Sequence, residues 1–382
     1  MIDNHIDDEF DLTYMRRAIE LAKKGTGAVN PNPLVGAVIV KAGRIIGEGY
    51  HVRYGELHAE RAAFASLADP AEAEGAVMYV TLEPCCHFGK QPPCVDAIIE
   101  HKIRKVYCGS DDPNVMVAGK GFRRLRDAGI EVYTHCLKDE CDALNDIFFK
   151  YIIAKKPYVT MKYAMTMDGR IATHIGASKW ITGEASRAYV MELRNRHKGI
   201  MAGIGTVLAD DPMLTCRIEN GIDRDTDNVR NPIRIICDSK LRIPEDSNIV
   251  QTAVEIETIV ATTPDGAADT AKCDRLREKS VSIIETDSTD GNVDLGQLMD
   301  ILGGKGIDGI LLEGGGELNY SMVSEGLVDE ACVFIAPKIF GGEGKYSPVS
   351  GTGVDVPADA HMFRLEEVRR FDEDVMLRYK KV

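Results

Sequence analysis

His58-Ala59-Glu60 lies upstream of Pro84-Cys85, and Cys94 closes a Pro92-Pro93-Cys94 run. One imidazole and two thiolates fill three of the four positions that a zinc ion takes up, leaving the fourth open to water. Water at such a position is acidified towards neutral pH. Glu60 has the side chain needed to take its proton and return it to a leaving group. Together these types describe hydrolysis at a ring carbon bearing an amino group. A second stretch, Leu311-Leu312-Glu313-Gly314-Gly315-Gly316-Glu317-Leu318-Asn319, runs from apolar residues through three glycines into helix formers. Such a turn lets backbone amides approach phosphate at a helix start, although glycines serve ordinary turns equally well.

The metal reading has rivals. The general nucleobase-deaminase pattern is His-x-Glu followed by Pro-Cys-x-x-Cys, whereas eight residues separate Cys85 from Cys94 here. Cys86 and His87 fall inside the gap, and either would complete a closed structural zinc site. A third reading leaves His58 as a helix histidine and the cysteines as buried thiols. Lys90, beside the loop, is either a seat for a substrate phosphate or a solvated lysine. No Gly-x-Gly-x-x-Gly follows a strand and opens a helix, which argues against a Rossmann site.

The run Thr81-Leu82-Glu83-Pro84-Cys85-Cys86-His87-Phe88-Gly89-Lys90-Gln91-Pro92-Pro93-Cys94 resembles the metal loop of the bifunctional riboflavin-biosynthesis deaminase/reductase family, wide spacing included. Cys86 stands where that family usually has serine. Asn30-Pro31-Asn32-Pro33-Leu34-Val35-Gly36 and His58-Ala59-Glu60 resemble the same family. In the second half, so do Lys162 to Arg170, Ser178-Lys179-Trp180-Ile181-Thr182 and Gly205 to Pro212.

The resemblance implies an N-terminal cytidine-deaminase-like layered α/β domain and a C-terminal dihydrofolate-reductase-like α/β domain. It implies zinc on His58, Cys85 and Cys94, with Glu60 catalytic, and NADPH in the second domain. The substrate is then a diaminopyrimidinone carrying a phosphoribosylamino group, deaminated first and reduced from ribosyl to ribityl second. Carried onto matching positions, cofactor contacts fall at Ala164, Trp180, Thr206, Asp210 and Ser239. Gly315, Gly316, Glu317, Leu318, Asn319, Tyr320 and Ser321 lie at its phosphates. Substrate contacts fall at Ser178, Arg194, Leu214, Arg217 and Glu313. Arg194 and Arg217 have planar donors suited to a ribose phosphate. Asp168 and Asp210 are the nearby acids, and neither is singled out as proton donor.

These residues need scaffolds to hold them. At 382 residues the chain predicts two domains, 1–150 and 151–382. Thr13 predicts the cap of a helix over 14–24, and 34–40 with 44–49 predicts a hairpin. Helices are expected over 58–67, 94–101 and 121–129, and strands over 77–81, 105–109 and 131–135. The first half thus reads as an α/β sandwich with His58, Glu60 and Cys94 at helix starts, where the dipole favours thiolate. The region 141–156 marks the boundary. Strands are expected at 158–164, 333–337 and 375–379, and an exposed loop over 219–231.

A net charge of -14 and a pI near 5.2 argue against a nucleic-acid footprint, and hence against a tRNA-editing type of deaminase. No stretch approaches a membrane span, and the acidic N-terminus lacks a signal-peptide core. Ten cysteines in such a chain read as ligands or buried thiols, not disulfides. The expectation is a cytoplasmic homo-oligomer acting on a small molecule.

Overall fold

The computed structural model describes residues 9–89, 91–218, 229–342 and 346–382. The chain divides into two compact units between Lys155 and Lys156. The expected exposed loop lies mostly outside the described residues.

The first unit runs α1 (Glu9–Lys23), β1 (Gly36–Lys41), β2 (Arg44–Tyr50), α2 (Ala59–Ala65), β3 (Val77–Leu82), α3 (Cys94–Glu100), β4 (Lys105–Ser110), α4 (Lys120–Asp127), β5 (Glu131–Tyr133), α5 (Lys138–Asp142) and α6 (Asp146–Ala154). Its sheet has the order β2-β1-β3-β4-β5. The β1 strand pairs antiparallel with β2 and β3, while β3, β4 and β5 run parallel.

Alternation along the strands explains the layering. Ala37, Ile39, Met78 and Val80 join α2, α3 and α4 in one core. Val38, Val40 and Tyr79 face the other way, onto Tyr14, Met15 and Ala18 of α1. There Tyr14, Tyr79, Tyr107 and Tyr133 follow one another with ring centroids 5.3, 4.9 and 4.8 Å apart, the first pair tilted and the other two stacked.

The first helix starts before the Thr13 cap that the sequence predicts. The helix begins at Glu9, four residues upstream of Thr13. Gly49 matters for the site. A β-carbon there would run into the backbone of Ala59 and Ala63, so the absent side chain is what lets β2 lie against α2.

The second unit runs β6 (Tyr158–Thr166), α7 (Glu184–Arg196), β7 (Gly199–Gly203), α8 (Ile204–Asp210), β8 (Ile233–Cys237), α9 (Asn248–Gln251), β9 (Thr258–Thr262), α10 (Pro264–Ala267), α11 (Thr270–Glu278), β10 (Val281–Glu285), β11 (Ser288–Thr289), β12 (Asn292–Val293), α12 (Leu295–Gly304), β13 (Gly309–Leu312), α13 (Gly316–Ser324), β14 (Glu330–Ala336), β15 (Phe363–Phe371) and β16 (Asp374–Lys381). Nine strands form one sheet in the order β10-β9-β8-β7-β13-β6-β14-β16-β15. It is parallel from β10 to β14 and antiparallel at the β16–β15 edge.

Met201, Ile235 and Ile310 pack with α12 and α13. Their neighbours Ile200 and Ile236 pack with α8, α9 and α11 on the opposite face. A parallel sheet covered on both faces leaves its strand C-termini as the place for ligands.

Candidate active sites

His58 is the N-cap of α2, with φ −71° and ψ 159°, and Glu60 sits in the first turn of that helix. Cys85 follows β3, and Cys94 is the first residue of α3 behind Pro93. His58 Nδ1 lies 3.5 Å from Cys85 Sγ and 3.4 Å from Cys94 Sγ. The Cys94 amide donates to Cys85 Sγ at 3.4 Å. The three ligand atoms all lie within 4.8 Å of one another, the only such His/Cys/Asp/Glu group among the described residues.

Two soft thiol donors and one imidazole converging from separate elements fit zinc, and the Glu60 carboxyl lies against Cys94. Glu60 is 4% exposed, and burial raises its carboxyl above the usual range. Hydrogen bonding from Cys94, aided by His58, holds the Cys85 thiol far below the ordinary cysteine range.

Cys86 does not join them. Its sulfur points to Met116 O at 3.7 Å, and neither it nor His87 belongs to the converging group. Lys90 lies outside the described residues.

Three residues around this centre escaped the sequence reading. Arg61, on α2, donates from Nε to Pro92 O at 3.1 Å and from Nη2 to Pro93 O at 2.9 Å. It thereby ties the helix of His58 to the run that delivers Cys94. Buried Glu83 accepts from Gly119 N, Gly121 N and Phe122 N at 3.0, 3.0 and 3.4 Å. That binds the Cys85 loop to the start of α4. Buried His51 donates from Nδ1 to Leu57 O at 3.0 Å, which leaves Nε2 to accept from Asn32 Nδ2 at 3.1 Å. Its neutral ring stands edge-on to His58, 5.5 Å away between centroids. Burial lowers its pKa.

In the second unit the predicted residues gather past the C-terminal ends of parallel strands. Ala164 lies on β6, Thr206 and Asp210 on α8 beyond β7, and Ser239 beyond β8. Gly315 caps α13 beyond β13. A β-carbon on Gly315 would meet only the Thr206 hydroxyl, at 4.0 Å. This open cradle at a helix start fits a phosphate of a dinucleotide.

On the same helix, Asn319 Nδ2 donates to Pro348 O at 2.8 Å, and the Tyr320 hydroxyl meets Thr352 Oγ1 at 2.9 Å. Those two side chains are therefore engaged by the 348–353 segment. Ser178 Oγ donates to Asp210 at 3.4 Å. Ser239 Oγ accepts from Val293 N at 3.1 Å. Leu214 is buried, and Arg217 is exposed. Asp168 accepts from Thr166, Phe340 N and Gly341 N, which commits it to a turn.

Arg194 has a partner that the sequence does not reveal. Its Nε and Nη2 donate to the two oxygens of Glu313 at 2.7 and 3.1 Å, and Nη1 donates to Thr215 O at 2.8 Å. Lys162 Nζ, missed by the sequence reading, lies 3.7 Å from Glu313. Burial alone would raise the Glu313 carboxyl, yet Arg194 and Lys162 hold it down at about 2.

A zinc-type deaminase centre in one α/β unit and a nucleotide cradle in another define a two-headed enzyme, an aminohydrolase joined to a reductase. Comparison with known proteins agrees. Residues 8–110 match the cytidine and deoxycytidylate deaminase zinc-binding region, and residues 157–377 match the RibD C-terminal domain. The chain is 49% identical over 369 residues to the riboflavin biosynthesis protein RibD of Actinobacillus pleuropneumoniae, covering 97% of this chain and 95% of that one. It is 39% identical over 378 residues to the Escherichia coli RibD, covering 97% and 99%.

Among solved structures, Acinetobacter baumannii RibD superposes with a TM-score of 0.85 at 35% identity, covering 98% and 99%. The diaminohydroxyphosphoribosylaminopyrimidine deaminase/5-amino-6-(5-phosphoribosylamino)uracil reductase of Thermotoga maritima does so at 0.84 and 37%, with the same coverage. The chain belongs to the RibD family, the bifunctional deaminase/reductases of riboflavin biosynthesis, with zinc in the first domain and NADPH in the second.

Two outcomes follow from the positioning contacts. Replacing Arg61 with Met frees the Pro92-Pro93-Cys94 run and should weaken zinc binding by roughly 10–100-fold. Competition with a chromogenic chelator measures this, and native affinity in the variant would remove Arg61 from the site. The second outcome concerns pH. A carboxyl held at about 2 in the fold but near 4.5 when unfolded stabilises the native state above pH 4.5, and loses that effect as pH falls towards 2. Glu313→Gln should destabilise the second unit by about 3 kcal/mol at neutral pH, and the gap from wild type should shrink in acid. Denaturant unfolding at the two pH values tests the sign.

Proposed function

We propose that this chain acts on the two compounds named for its Thermotoga maritima relative. It deaminates diaminohydroxyphosphoribosylaminopyrimidine, then reduces 5-amino-6-(5-phosphoribosylamino)uracil at the ribosyl group. The observation that carries the first step is the convergence of His58, Cys85 and Cys94 beside buried Glu60.

Zinc, when bound by those three residues, supplies a Lewis acid that makes water a usable nucleophile at neutral pH. Glu60 takes a proton from that water and gives it to the departing amine, so the ring amino group leaves as ammonia and a carbonyl replaces it. Acid assistance of this kind contributes on the order of 10²–10⁴-fold. The helix starts of α2 and α3 keep the ligand set fixed while the proton moves.

For the second step, the proposed cofactor contacts are Ala164, Trp180, Thr206, Asp210, Ser239 and the backbone from Gly315 to Ser321. NADPH supplies hydride to the sugar carbon, and the protein's part is orientation and exclusion of water. Ser178, Leu214, Arg217 and Glu313 are the proposed substrate contacts. Arg194 joins them through its fork on Glu313, which fixes the carboxylate for the substrate. This assignment supersedes phosphate binding as its first task.

We place the enzyme in the cytoplasm as a homo-oligomer. No described helix is long and apolar enough to cross a membrane. The edge strand β15 leaves Leu365 and Val368 exposed, which favours pairing with a second copy. A monomer mass in solution at working concentration would refute that association.

The two steps separate experimentally. Glu60→Gln should retain zinc and NADPH oxidation with supplied deaminated substrate, and lose ammonia release by at least about 100-fold. Chelation of zinc should do the same. Undiminished ammonia release from the variant would overturn the role of Glu60.

A further inference from the structure

The connection between β6 and α7 carries the chain's single tryptophan. Trp180 is 65% exposed, an uncommon setting for so large an aromatic side chain. Its ring is nevertheless held. The Arg187 guanidinium carbon lies over its face, 4.7 Å from the centroid. Arg187 Nη1 also donates to Thr182 O at 2.7 Å, fixing the guanidinium to the segment that bears the indole. Lys338 Nζ donates to the Trp180 carbonyl at 2.8 Å.

The base of this clamp is rigid. Buried Asp374 accepts from Gly183 N at 2.7 Å and from the Ser186 hydroxyl at 2.6 Å, which pins the first turn of α7. Ile181 and Thr182 are buried beneath it.

A cation over an indole face is attracted by the ring quadrupole, and tryptophan is the best such partner. A planar guanidinium also stacks where an ammonium cannot. The result is an indole with one face covered and much of its surface open to solvent. A ring fixed in advance loses less freedom when a second planar group stacks on it.

We propose that Arg187 is a positioning residue of the reductase site, holding Trp180 as a one-sided stacking platform for a planar ring of NADPH. The inference rests on the placement of Trp180 at the cofactor. Arg187 acts through the indole and does not itself touch NADPH.

The single tryptophan makes the test direct, because emission excited beyond the tyrosine band reports this position alone. In the full-length wild-type enzyme, NADPH should quench Trp180 emission as it binds. Arg187→Met should shift the emission of the free protein and raise the Kd for NADPH by roughly 3–30-fold. Its kcat at saturating NADPH should change less than its Kd. Arg187→Lys, which keeps the charge but loses the planar fork, should fall between. The kcat retained at saturating NADPH, together with cooperative denaturant unfolding of the same samples, confirms that the second unit is folded. Should the Met variant fail to unfold cooperatively or to oxidise NADPH, the Lys variant decides the matter by the same measurements. Native emission and native Kd in a folded variant would overturn the proposal. A wild-type enzyme that oxidises NADPH with no change in Trp180 emission would overturn the placement of Trp180 itself, and the clamp's purpose with it.

Discussion

A carboxylate taken out of water must find donors, and both sites hang on one that does. Glu83 is the first residue past β3, and Glu313 is the first past β13. Glu83 collects three backbone N–H groups around the start of α4. Glu313 collects the fork of Arg194 and the charge of Lys162. Each is costly to bury alone and strongly directional once satisfied. The consequence is positional. Glu83 fixes the loop that presents Cys85, and Glu313 fixes the wall of the reductase site beside Thr215 and the glycine turn.

The same logic explains why the metal ligands need so little side-chain support of their own. Helices α2 and α3 both begin at the site, and their backbones are set by close packing at Gly49 and by the hydrogen bonds of Arg61. A ligand at a helix start has few backbone degrees of freedom left. The long gap between Cys85 and Cys94 does not loosen the centre, because the Cys94 amide closes it onto Cys85 Sγ at 3.4 Å. Cys86 is excluded by strand-like alternation: its sulfur faces Met116 and not His58.

Much of this was legible in the sequence, for identifiable reasons. Strands β1, β3 and β4 announce themselves through short, mostly apolar runs buried on both faces, and the metal triad through residue types that have few other uses together. The onset of α1 is the local exception: Thr13 reads as a cap, whereas the helix begins at Glu9. What stayed hidden was partnership at long separation. Glu83 and Gly121 are 38 residues apart, and Arg194 and Glu313 are 119 apart. No local pattern encodes either pair.

Arg194 shows what that blindness does to a functional reading. A helix arginine near other site residues suggests phosphate, since guanidinium and phosphate match in shape and charge. Here the side chain is mostly buried beside a carboxylate that is also buried, and the pair satisfies both. Breaking it to bind phosphate would strand Glu313 as an uncompensated charge. That leaves Arg217, which is exposed, as the other planar donor the sequence offers for a ribose phosphate. The first-turn amides of α13 answer to a different ligand, the proposed dinucleotide, and of the three glycines at the helix start Gly315 alone stands open, since Gly314 lies against Asn319 and Gly316 against Ser350.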